Sequence, residues 1–233
     1  MMDQGAVMDR QATLGARAKD FTLAALATGY PSDEAFGTLR LLRQELSSHP
    51  GLAPVLAAAD GGLDALRAEY AERFDVGRGR VPIYETEYGR SRGLSKGRDL
   101  ADVAGFYRAF GFALAEDGGA EMADHLAVEL EFYALLLHKQ DLLTDDAEGT
   151  DIVVQARRAF LKDHLGSFAP AIARQPAVAD HAVFGPLLRW CAGLVAAECA
   201  CLGVTPAPLD FFATLDADEE VRCGACRVTA GTS

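Results

Sequence analysis

The chain has 233 residues, half of them hydrophobic, which is ample for a core and far from a disordered composition. Its net charge of −12 argues against a nucleic-acid protein, whose binding face must neutralise phosphates, and suits a basic peptide partner or plain solubility. The N-terminus MMDQGAVMDR lacks the apolar core of a signal peptide, and no apolar run reaches the roughly 18 residues that span a bilayer, so a cytoplasmic protein without stable membrane insertion is expected.

Helical periodicity dominates and strand-type alternation is nearly absent. A first helix is expected over 11–27, with a break at Gly29-Tyr30-Pro31. Ser32 caps the next helix, with Asp33 and Glu34 in its first turn, and Phe36, Leu39, Leu42 and Leu46 form its apolar stripe. A short helix over 52–59 stops at Asp60-Gly61-Gly62, and Leu63, Leu66, Tyr70 and Phe74 mark another. The connection 75–98 exceeds the usual length of a loop inside a compact domain, and such loops are functional or disordered. At its centre Pro82-Ile83-Tyr84-Glu85-Thr86-Glu87-Tyr88 starts extended, because proline biases its predecessor away from helix. Two readings stand here: tyrosines that pack the loop down while Glu85 or Glu87 faces a partner, or a solvated tether.

Asp99 caps a helix through Leu114, and Gly118-Gly119 breaks the chain again. The stretch 121–140, EMADHLAVELEFYALLLHKQ, is a helix apolar nearly all round, the pattern of an element packed on several sides. Asp124 and His125 fall in its first turn and are placed at the rim of the core; an acidic residue there suits the helix dipole, and His125 can reach Glu121 or Glu129. Helices follow over 150–165, 169–174 and 186–202, then an irregular tail. The fold class expected is all-α: a single globular bundle of about nine to ten helices over 1–204, with the tail at 205–233.

Catalysis has no constellation to stand on. Gly93-Leu94-Ser95-Lys96-Gly97 is not a phosphate-binding loop, and no G-x-S-x-G elbow or H-E-x-x-H pair occurs, so neither enzyme activity nor a cofactor is expected. Cys199, Cys201, Cys223 and Cys226 could furnish four thiolates for zinc or a redox pair, the basis of an alternative reading as a thiol- or metal-dependent sensor. Against it, C-x-C on a helix splays its sulfurs by about 200°. Free thiols are favoured.

Asp124-His125 followed by Leu130-Glu131-Phe132 and an aliphatic run resembles the signature helix of the TorD/DmsD (NarJ-like) family of molybdoenzyme maturation chaperones, although Met122 stands where that family has proline. LRAEYAERF, the proline-tyrosine phrase 82–88, FYRAFGF and the Phe160-Leu161-x-x-His164-Leu165 pattern resemble it in the same order. The resemblance implies an all-helical chaperone, a monomer or homodimer. Its implied partners are an apo molybdoenzyme catalytic subunit and that subunit's twin-arginine leader, with premature export prevented. The phrase 84–88 hints at the branch serving type II dimethyl sulfoxide reductase-family enzymes. Leader contacts are expected from Asp124, His125, Glu121, Tyr84, Glu87 and Tyr88.

Overall fold

A computed structural model describes residues 13–74, 81–88, 96–114, 121–143, 145–207 and 209. Thr13 caps α1 (Leu14–Thr28), accepting from the Ala16 amide, and Ser32 caps α2 (Asp33–Leu41) by accepting from that of Ala35, as its sequence demands. The stripe from Phe36 to Leu46 is not one helix: the chain leaves helical geometry at Leu42 and resumes as α3 (Arg43–Leu46). α4 (Ala53–Gly61) and α5 (Leu63–Phe74) are joined by Gly62 at φ 146°, a conformation open to glycine and strained for other residues.

α6 (Lys96–Ala109) begins ahead of Asp99 and ends well short of Leu114. Gly111 at φ 69° turns the chain back there, so that the Phe112 amide donates to the Tyr107 carbonyl. α7 (Leu126–Leu142), α8 (Ala147–Asp163), α9 (Leu165–Ala173), α10 (Pro176–Ala179) and α11 (Phe184–Leu202) complete an all-helical chain with no strand among the described residues. Asp146 starts α8 earlier than periodicity indicated, accepting from the Gly149 amide. His164 separates α8 from α9 at φ −132°, ψ −100°.

α7 is the axis. It packs most extensively on α1 and also on α8 and α9, while α11 covers α9 and α1. Leu130, Phe132, Tyr133, Leu136 and Leu137 are fully buried on it. Each such apolar side chain contributes on the order of 1.5–3 kcal/mol relative to exposure. α11 corrects one expectation: by length and composition it is apolar enough to cross a membrane. Its buried face instead packs within the bundle, where Glu198 receives hydrogen bonds from Arg17 of α1 (2.6 Å), Tyr133 of α7 (2.7 Å) and Arg157 of α8. This charged knot ties four helices at one point. The Cys199-x-Cys201 pair lies inside α11, with Cys199 buried and Cys201 exposed. Cys223 and Cys226 lie outside the described residues.

Candidate functional site

The strap of residues 81–88 crosses the start of α7. The Glu85 amide donates to the Asp124 carbonyl (2.8 Å) and the Leu126 amide to that of Ile83 (3.0 Å), giving a single antiparallel bridge between Tyr84 and His125. A 3-10 turn, Glu85–Glu87, follows. The strap is therefore extended at first, as Pro82 requires, and then coils tightly onto the bundle.

This crossing overturns the rim placement of the Asp-His pair. Asp124 is 0% and His125 1% exposed, and both precede α7 instead of sitting in its first turn. Asp124 Oδ2 accepts from the Thr86 hydroxyl (2.6 Å) and amide (3.2 Å), so it holds the strap from below. His125 is the N-cap, its Nδ1 accepting from the Ala127 amide. Its Nε2 lies 3.2 Å from the Tyr70 hydroxyl and 3.9 Å from Glu121. Burial pushes the imidazole down to about 3, so it is neutral near pH 7 and able to accept at Nδ1.

The other expected residues separate into two groups. Tyr84 donates to Glu121 Oε2 (2.9 Å), and these two stand at the surface end of the crossing. Tyr88 is turned inward against Phe168, and its hydroxyl donates to the Pro82 carbonyl (2.7 Å). Glu87 is half-exposed and paired with Lys96. Glu85 does not face a partner: it is buried and paired with His164 (3.0 Å).

Beside Glu121 opens a groove of about 400 Å3 between α1, the segment 112–114 and the first turns of α7. Its lining is mainly apolar, including Leu26, Ala127 and Val128, with Tyr30 exposed at the edge and the carboxylates of Glu121 and Glu131 in the wall. Helical periodicity could not find this groove, because Tyr30 and Leu114 lie in irregular segments. Glu129, a polar residue on this otherwise apolar helix, lies one turn beyond His125 and is wholly buried. Burial, followed by the charges of Glu85 and Asp124 and a hydrogen bond to Glu85, holds the Glu129 carboxyl well above its ordinary range. Among the described residues no group of three or more His, Cys, Asp or Glu side chains is arranged to hold a metal ion.

A family model described as nitrate reductase delta subunit matches residues 33–174. The chain is 32% identical over 177 residues to the selenate reductase assembly chaperone protein of Thauera selenatis, covering 70% of this chain and 84% of that protein. It is also 32% identical over 133 residues to the chlorate reductase assembly chaperone protein of Ideonella dechloratans, covering 54% and 66% respectively. Among solved structures, an Archaeoglobus fulgidus protein assigned to redox enzyme maturation matches with a TM-score of 0.47 and 19% identity, over 84% of this chain and 98% of that one.

Proposed function

Because the chain belongs to the nitrate reductase delta subunit family, we propose that it is a cytoplasmic assembly chaperone for a molybdenum-cofactor oxidoreductase. In this reading it holds the apo catalytic subunit and its twin-arginine leader until the cofactor is in place. The two similar proteins named for assembly of selenate and chlorate reductases support a client of that general kind. Its work is binding, without a chemical step of its own.

The observation that carries the leader reading is the groove beside Glu121. An amphipathic leader helix would lay its apolar face on Leu26 and Val128, as helix-in-groove recognition does elsewhere. Its arginines would meet Glu121 and Glu131, where a planar guanidinium bonds a carboxylate in bidentate fashion and an ammonium does not. Tyr84 holds the Glu121 carboxylate in place, and Glu87 lies further along the same strap, with Tyr88 anchoring its end from inside. Asp124 and His125 support leader binding from beneath the strap as positioning residues, since both are enclosed.

Titration of a labelled twin-arginine leader tests this. Glu121→Gln should weaken binding by about 1.5–3 kcal/mol, roughly one to two decades in affinity, without lowering the melting temperature. Replacing the paired arginines by lysines should weaken the wild-type complex and affect the variant less. Equal affinities for both proteins and both peptides would remove the leader from this groove.

A further inference from the structure

Glu129 presents a problem of donors. Both of its carboxyl oxygens are buried and reached by no N–H or hydroxyl donor. The strap group that bears on it is another carboxyl, that of Glu85. Two carboxylates are both acceptors, so a bond between them exists only when one carries a proton. The nearby hydroxyls are committed elsewhere: Tyr107 donates to the Ala123 carbonyl (2.6 Å) and Thr86 to Asp124 (2.6 Å).

We propose that the strap 81–88 is latched onto α7 by a single proton shared between Glu129 and Glu85, and that loss of this proton loosens the strap and the Tyr84–Glu121 corner it carries. Its use in leader binding rests on the chaperone reading above; the latch itself does not.

The surrounding charges fix which side gives way. Toward Glu129 face Glu85 of the strap, Asp124 at the foot of α7 and Tyr107 of α6. Behind Glu85 stands His164, at the corner between α8 and α9, with Asp102 of α6 at 3.4 Å from its other nitrogen and the charge of Asp163 near. Asp99 of α6 also bears on Glu85. Carboxylates thus outnumber the one imidazolium at this corner. Ionising the shared proton adds a buried negative charge without a counter-charge, which a low-dielectric interior resists strongly. Glu129 cannot leave, because it is wholly buried on the axial helix α7. Glu85 can, because it is carried by a three-residue turn.

The sign follows from proton counting. The latched state binds one more proton than a loosened state whose carboxyls meet water. The latched population therefore falls by about tenfold per pH unit from the ordinary carboxyl range up to the raised value of the pair. Hydrogen exchange on the full chain, without any leader, reads this from the Glu85 and Thr86 amides after correction for intrinsic rates. Protection there should fall as pH rises from mildly acidic to mildly alkaline, while that of α11 stays constant. In Glu129→Gln the amide donates to Glu85 at every pH, so the slope of strap protection should shrink to the part that the His164–Glu85 pair contributes. Strap protection in the wild type that is independent of pH would overturn the latch, as would an unchanged slope in the variant. A second reading on the wild type alone guards against a misfolded variant. Infrared titration should show a buried protonated carboxyl that ionises as strap protection falls, and a pair already fully ionised under mildly acidic conditions would refute the proposal. Failure of leader binding with an intact pH slope would sink the groove reading and leave the latch standing.

Discussion

Two buried polar clusters sit one turn apart on α7, one at Tyr133 and one at Glu129, and they are built on opposite principles. Around Tyr133, donors meet acceptors: Glu198 takes hydrogen bonds from Arg17, Tyr133 and Arg157, and Arg157 also reaches Gln140. Around Glu129, acceptors outnumber donors, and oxygens of Asp124 and Glu129 are reached by no donor. The difference teaches that burial of charge fixes architecture only where the hydrogen-bond inventory closes. Where it does not close, a proton completes it, and the structure becomes sensitive to pH at that point.

The same substitution should therefore have opposite consequences in the two places. Glu198→Gln leaves Arg157 and Arg17 without their counter-charge and should cost about 3–5 kcal/mol in denaturant titration. A loss under about 1 kcal/mol, the scale of an exposed pair, would mean that this cluster is not the keystone it resembles. Glu129→Gln should instead gain about 1–3 kcal/mol at mildly alkaline pH by supplying the missing donor. A comparable loss there would erase the contrast.

An effect spread over several pH units separates the two histidines. His125 has a folded-state value of about 3, below its ordinary 6.5, so the folded state binds fewer protons than the unfolded chain between these values. Its contribution is present above 6.5 and is lost as pH falls through that window, by up to about 1.4 kcal/mol per pH unit. His164 moves the other way. Burial alone would lower it, but the hydrogen bond to Glu85 and the charges of Glu85, Asp102 and Asp163 leave it raised. Its contribution is complete below 6.5 and lost as pH rises through the folded value. Proton resonances of the two rings, followed over pH, should show His125 neutral and His164 charged in mildly acidic solution. The smallest expected effect is Tyr84→Phe, which removes the hydroxyl that orients Glu121. It should cost about 0.5–1.5 kcal/mol and lower leader affinity without altering the pH slope of the strap.

Much of the frame was legible in the sequence because it is written locally. Ser32 announces its helix by residue type and spacing, and the apolar circumference of 126–137 announces a central one. The Asp124-His125 pair was misplaced for a physical reason. Nothing within four residues reveals that a strap forty residues earlier donates its Glu85 amide to the Asp124 carbonyl and thereby covers both side chains. Tyr133 lies within that apolar circumference, and nothing near it in sequence reveals its role, because its partners Glu198 and Arg157 come from distant helices. Glu129 was visible as an odd polar residue, but its lack of a donor is a property of the packed bundle alone. The Cys199 and Cys201 side chains, by contrast, diverge as helix geometry requires.

The bond between Arg17 and Glu198 closes a separation of 181 residues. At a synthesis rate of roughly 5–20 residues per second, the arginine is joined to the chain about 9–36 s before its carboxylate exists. For that interval α1 lacks its last fastening, and even once α7 has been made and offers it an apolar face, the first helix is the one most open to exchange. Completion of this bundle is thus timed by its far end. Ribosome-bound chains ending before α11 should accordingly lose α1 to protease sooner than chains that include it.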